Sequence, residues 1–231
     1  MENVWKGLPF VIFGVGGQAK EIKVLIDDIN QSNKTPVYEI IGFVSNSQDD
    51  VGLEIEGIKV VSTNDNFPEF SKKYKLLGAT IALANPKWKE QIVNSVFSKT
   101  DNIVFPNLIH PYAHVSTNAN NELGIGNIIC AGVTITTNIK LGKFIILNYN
   151  STVGHDVVIE DYCTINPLSA ISGNIKLSKG SLVGAGSSIR EKLTVGEYST
   201  VGLGSTVVKN VDDNKIVIGK AAENLEYKRR V

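Results

Sequence analysis

Only two cysteines, one methionine and three histidines occur among the 231 residues, and 23 lysines and arginines are matched by 23 aspartates and glutamates. A chain with no basic excess lacks the footprint of a nucleic-acid or anionic-membrane partner, so neither is expected. Cys130 and Cys163 lie far apart without CxxC spacing, which fits a reducing compartment and half-buried small side chains better than a disulfide. Three histidines with no cysteine or acidic ligand cluster make a metal site unexpected. No apolar run approaches the roughly 18 residues needed to span a bilayer. Met1 to Gly7 show no basic stretch followed by an apolar one, as a secretory leader would. A soluble, cytoplasmic protein is the expectation. The one local charge excess, Lys228-Arg229-Arg230, reads as a solvated tail. The remainder, 42% hydrophobic and 20% charged, is ordinary globular composition.

Strand-like and helix-like patterns alternate over residues 1–105. Phe10-Val11-Ile12-Phe13 is a short β-type run ending in Gly14-Val15-Gly16-Gly17, after which Ile22, Leu25, Ile26 and Ile29 recur at helical spacing. A second strand is expected at Tyr38 to Val44 and a weaker one at Ile58 to Val61. A helix capped by Asn64 should follow, with Phe67 and Phe70 on its apolar side. Ala79 to Ala84 reads as a buried strand. Pro86 then opens a helix, as a proline at the first helical position would, running through Trp88, Ile92, Val93 and Val96. This order implies a small parallel α/β sheet.

The turn Gly14-Val15-Gly16-Gly17-Gln18-Ala19 matches G-x-G-x-x-A. Glycines let backbone approach a phosphate, and the helix start supplies free N–H groups and a positive dipole end. A tight βα turn without ligand has the same pattern. A nicotinamide-dinucleotide enzyme would want an acidic residue at the end of the second strand, where Ser45-Asn46 stand instead. A mononucleotide or nucleotide-sugar site is therefore expected, and an NAD oxidoreductase is disfavoured.

From Leu123 to Val207 every sixth residue is Leu, Ile or Val, fifteen times in succession. Glycine follows six of them, at Gly124, Gly142, Gly154, Gly184, Gly196 and Gly202. The fourth position after them is mostly small or β-branched, as at Ser151, Val157, Cys163 and Ser169. Period six fits neither a 3.6-residue helix nor a hairpin array. It fits a triangular parallel β-helix whose aliphatic residues fill the bore, whose corners the glycines relieve, and whose coils repeat every 18 residues. Regular coils are expected from Leu123 to about Val211. Upstream, Ile109 and Val115 keep the period, and two extra residues within Ser116 to Glu122 shift it.

Ile109-His110-Pro111-Tyr112-Ala113-His114-Val115, the hexads and Gly154-His155-Asp156 together resemble the left-handed β-helix acyltransferases. More closely, the chain is similar to the sialic-acid O-acetyltransferase and bacillosamine-pathway N-acetyltransferase group. That resemblance, not the period, implies the left hand. It also implies acetyl-CoA as co-substrate, a homotrimer with acetyl-CoA between neighbouring prisms, and a nucleotide-linked sugar, UDP or dTDP, on the first domain. Residue by residue it implies His155 as catalytic base and Asp156 as the acid beside it. Thr164, Gly173, Ala185 and Leu203 fall where such enzymes contact acetyl-CoA. Gly14, Gly16, Gly17, Gln18, Ser45, Asn46, Ala84 and Asn85 fall where they hold the nucleotide-sugar. The chain departs from the group at Gly16 and Gln18, at Ser45-Asn46, and at Gly219-Lys220-Ala221-Ala222.

His155 stands two residues after inward Val153, hence on the outer face or a corner, with Gly173 one coil above it. Asp156 reaches it only if the corner bends the pair together, because neighbouring strand residues face opposite ways. His110 and His114 precede the regular coils and read as structural. The expected architecture is an α/β domain over residues 1–105 and a left-handed parallel β-helix over 106–231. The leading activity is N-acetylation of a nucleotide-linked amino-deoxysugar. Sugar O-acetylation and a non-catalytic scaffold are the alternatives.

Overall fold

The computed structural model describes residues 5–116 and 119–220. The basic tail and Ala221-Ala222 lie outside them, as does part of the spacer after Ser116. The first domain runs β1 (Leu8–Phe13), α1 (Gly17–Gln31), β2 (Tyr38–Ser45), β3 (Glu54–Ile55), β4 (Ile58–Thr63), α2 (Phe67–Ser71), β5 (Leu77–Ile81), α3 (Pro86–Ser95) and β6 (Ile103–Val104). The sheet order is β3-β4-β2-β1-β5-β6. The expected parallel sheet is in fact mixed: the short β3 pairs antiparallel with β4 through Glu56-Gly57, both at positive φ. β1 has β2 on one side and β5 on the other. The Gly14–Gly17 turn at its end is therefore a topological switch point, where open α/β sheets leave a crevice.

Eighteen two-residue strands follow, from β7 (Leu108–Ile109) to β24 (Ile216–Val217), in three parallel sheets. Partners in the regular coils are 18 residues apart, as in Ile128 with Ile146 and Thr152 with Ala170, and 20 apart for Leu108 with Ile128 and His114 with Thr134. This is a left-handed parallel β-helix. It begins earlier than the regular hexads, because Leu108–Ile109 and His114–Val115 already pair with the coil above. At the far end Val201 pairs with Val217 after 16 residues, so the last coil is two residues tighter.

From Ile129 onward both the hexad aliphatics and the residues four places on are buried, so each of these hexads turns two side chains inward. Where the residue four places on is polar it usually closes its own hydrogen bonds, the Ser151 hydroxyl being the exception without a partner among the described residues. Asn127 Nδ2 donates to Gly124 O (3.2 Å) and Gly142 O (3.0 Å), and Ser169 and Ser187 hydroxyls donate to Gly184 O and Gly202 O (both 2.9 Å). Cys130 and Cys163 are fully rather than half buried, and burial pushes their thiols up to about 12 and about 11.

The glycine reading needs correction. The residue after each aliphatic does not take a left-handed turn; the corner residue three places after it does. That position is Gly126, Gly132, Gly180, Gly186 or Gly204 in some coils and Asn138, Asn150, Asp156 or Asn174 in others. Asn and Asp tolerate this region better than other side chains. Glycines directly after the aliphatic are needed for close backbone approach. A Cβ on Gly184 would lie 2.5 Å from Leu203 N.

The first domain covers the outer face of the sheet that holds Leu108, Ile128, Ile146 and Thr164, all buried. Ile22, Leu25 and Ile26 of α1 join the bore residues in one apolar cluster. Phe97 and Phe105 meet Phe144, whose ring stacks on that of Tyr162 at 6.0 Å and 7°; Phe144 and Tyr162 both stand at left-handed corner positions. Holding a bulky residue there costs on the order of 1 kcal/mol; the aromatic contacts offset it. No helix among the described residues is long and apolar enough to cross a membrane.

Candidate active site

His155 and Asp156 occupy the corner between β14 (Thr152–Val153) and β15 (Val158–Ile159). Asp156 has φ 58°, which turns its side chain toward its neighbour, as a flat strand could not. Its carboxylate stands 2.7 Å from His155 Nδ1, and Asn138 Nδ2, one coil below, donates to its other oxygen at 3.0 Å. The hydrogen bond from His155, then that from Asn138, holds the Asp156 carboxyl below the usual carboxylate range. An ionised carboxylate only accepts, so Nδ1 carries the proton and Nε2 presents its lone pair outward. The His155 side chain is 58% exposed. A Cβ added to Gly173 would come within 2.5 Å of Nε2, so the glycine leaves open the space a reacting atom needs. The Gly173 N–H makes no hydrogen bond among the described residues.

His110 is the counter-example. It is buried, its Nδ1 accepts from Tyr112 N (3.0 Å), and its Nε2 consequently donates to Asp28 of α1 (3.0 Å). With both nitrogens engaged it ties the domains together and offers no base. His114 lies 3.3 Å from the Ser116 hydroxyl on the surface.

The first domain holds a cavity of about 440 Å³ at the switch point, lined by Gly14, Val15, Gly16, Val44, Ser45, Asn46, Asn64, Asp65, Leu83, Trp88, Gln91, Ile92 and Ser95. Gly16 caps α1 without any side chain; its carbonyl accepts from Ala19 N (3.0 Å), and the N–H groups of Gly17 and Gln18 have no partner among the described residues. Gln18 is on that turn but off the cavity wall, its Nε2 buried and without a partner among the described residues. Ser45 is buried, and its hydroxyl donates to Asp50 and accepts from Ser47 N (3.1 Å). The Ser95 hydroxyl donates to Gln91 O (2.6 Å), while the side chains of Asn46, Asn64, Asp65 and Gln91 themselves make no hydrogen bond among the described residues. No lysine or arginine lines the wall.

Other expected site residues are placed differently. Thr164 is fully buried on β16 (Thr164–Ile165); its hydroxyl donates to Ala84 O (2.8 Å) and accepts from Lys89. It has no surface to offer a ligand, and Ala84 is engaged by it. Asn85 caps α3 through Oδ1, which accepts from Lys87 N (3.0 Å) and Trp88 N (3.4 Å). Ala185 and Leu203 are exposed and stacked, but at the corners after β19 (Leu182–Val183) and β22 (Thr200–Val201), a different edge of the prism from His155 and Gly173.

Sequence reasoning missed Asn64, Asp65, Trp88 and Gln91. Asn64 does not cap α2, whose cap is Asn66. Trp88 is 58% exposed, while the neighbouring Lys89 is buried. Among the described residues no three His, Cys, Asp or Glu side chains converge as metal ligands would.

The PglD N-terminal domain family matches residues 9–96. GDP-perosamine N-acetyltransferase of Escherichia coli O157:H7 is 33% identical over 169 residues, covering 70% of this chain and 69% of that protein. The acetyltransferase domain of PglB from Neisseria gonorrhoeae FA1090, solved with acetyl coenzyme A, superposes with TM-score 0.79 at 26% identity. The match covers 95% of this chain and 100% of that one. PerB from Caulobacter crescentus, solved with CoA and GDP-perosamine, gives TM-score 0.80 at 24% identity over 91% of this chain and 94% of the other.

Proposed function

Because this chain belongs to the hexapeptide-repeat sugar N-acetyltransferases, a family of acyltransferases, we propose that it moves the acetyl group of acetyl-CoA onto the amino group of a nucleotide-linked amino-deoxysugar. The observation that carries this is the His155–Asp156 pair with Gly173 opening the space at Nε2. The sugar amine attacks the thioester carbonyl as Nε2 takes its proton, a C–N bond forms, the C–S bond breaks and the CoA thiolate leaves. Asp156 fixes the tautomer and stabilises the imidazolium. The free N–H of Gly173 is suited to hold the carbonyl oxygen as charge develops. No acyl-enzyme is needed, and both cysteines are buried. A scaffold role leaves this pair unexplained. The curated relative's activity favours N- over O-acetylation. Both substrates are cytoplasmic metabolites, which is the compartment we assign.

In this reading residues 1–105 hold the nucleotide-sugar and 106–231 perform the transfer. The diphosphate lies against Gly14, Gly16 and Gly17 at the start of α1, where backbone N–H groups substitute for cationic side chains. We assign the base to the far wall, with Trp88 stacking and Asp65 reading its edge. A carboxylate accepts two donors, which guanine offers on adjacent nitrogens; uracil and thymine offer one N–H between two carbonyls. GDP is thus favoured over the UDP or dTDP expected above, in keeping with the relative's substrate. Calorimetric titration with GDP, UDP and dTDP should give GDP at least tenfold preference. Asp65→Asn should remove that preference. A Cβ at Gly17 meets nothing within 4 Å, so Gly17→Leu should fold normally yet weaken every nucleotide. Equal loss for all three bases in Asp65→Asn would assign the residue to ribose instead.

Acetyl-CoA is assigned to Gly173, Ala185 and Leu203, without Thr164. Because these lie on two edges of one prism, a groove using both is completed by a second copy, in keeping with a homotrimer. Light scattering should return three times the 25.0 kDa chain mass. A monomer at assay concentration would remove this site.

A further inference from the structure

Lys89 is the one fully buried lysine among the described residues, and it forms no ion pair. Its Nζ donates to Cys163 O at 3.0 Å and to Thr164 Oγ1 at 2.9 Å. Thr164 passes its own proton to Ala84 O at 2.8 Å. Ala84 sits between Leu83, which lines the nucleotide cavity, and Asn85, which caps α3; Trp88, Gln91 and Ile92 of α3 form the cavity's other wall. One chain of three hydrogen bonds therefore ties the β5–α3 loop and the first turn of α3 to the fourth coil of the prism.

Two acceptors suit a neutral amine, which has two hydrogens; an ammonium has three and would leave one unmet in an apolar enclosure. We propose that Lys89 and Thr164 act as an uncharged positioning clamp, setting the height of the nucleotide cavity above the prism and hence the reach of the bound sugar to His155. This rests on the function proposed above. Burial pushes the Lys89 amine down to about 7, so the clamp is intact above neutrality and strained below it. The groups facing Nζ do not compensate its charge. The Cys163 thiol on the prism side is pushed up by burial, and on α3 the Glu90 carboxylate is engaged by Lys179 and Tyr198.

The test uses the full chain, with GDP binding and steady-state kinetics measured from pH 6 to 9. Lys89→Met and Thr164→Val keep size and remove the donors or the relay. Each should raise the nucleotide-sugar KM, or lower kcat, about tenfold or more, with the acetyl-CoA KM unchanged. The double variant should be no worse than the worse single one, because both break one chain. Wild-type GDP affinity should fall below about pH 7, and Lys89→Met should lack that limb. Thr164→Ser, which keeps the hydroxyl, should recover most of the loss and serves if Lys89→Met does not fold. Unchanged sugar kinetics in a folded variant, or equal shifts in both KM values, would overturn the clamp. Wild-type protein that binds GDP but transfers no acetyl group would instead refute the proposed reaction, leaving the pH-dependent GDP binding to judge the clamp.

Discussion

Replacing His155 with alanine is expected to lower kcat roughly 10²–10⁴-fold, the usual worth of a positioned general base, while both KM values stay within a few-fold. The amine must lose a proton as it bonds to the thioester carbon, and imidazole is the side chain whose ordinary proton affinity suits that near neutral pH. His155 can serve because its other nitrogen is held by Asp156 at 2.7 Å and its free edge faces solvent. Little stability should be lost, since the side chain is mostly exposed. Asp156→Asn should cost less, because Asn138 still bonds the position and the ring remains in place. The Asp156 carboxyl lies below its usual range, so it stays ionised through neutrality; any loss of activity between pH 6 and 8 belongs to another group. Near-full turnover of His155→Ala across pH 6 to 9 would require a different mechanism.

Gly173→Ala is expected to be nearly as damaging, although it adds one methyl group. Its φ is not in the left-handed region, so alanine meets no backbone strain. The new Cβ would lie 2.5 Å from Nε2, 2.6 Å from Cε1 and 3.0 Å from Cδ2 of His155. The exposed ring yields by rotating away, which breaks its alignment with Asp156 and places a methyl where the thioester approaches. A misplacement of about 1 Å at a reacting centre is worth on the order of 10²-fold in rate, and kcat should fall by that much. Thermal unfolding should stay within a few degrees of wild type. If Gly173→Ala instead kept its rate but lost stability, the glycine would be serving coil packing, as Gly184 does.

The prism was legible because a six-residue aliphatic period has no other compact reading, and the G-x-G-x-x-A turn was legible because close backbone approach demands glycine. Both depend on residues a few places apart. Even within the repeat, the period did not tell which residue takes the left-handed corner, since glycine and asparagine share that position with Phe144 and Tyr162. Asp156 was readable as adjacent to His155, but only its corner φ of 58° turns the two together.

Tertiary packing decided the rest. The helical reading of α3 runs through Trp88 and gives Lys89 no part, yet the structure exposes Trp88 and buries Lys89. Lys89 finds two acceptors on residues 74 and 75 positions further along the chain, while the indole is left to line a cavity. Local sequence reports which side chains are apolar. It does not report that the outer face of a β-helix brings a carbonyl and a hydroxyl to the amine, and it is those acceptors that let a lysine be buried and a tryptophan be exposed.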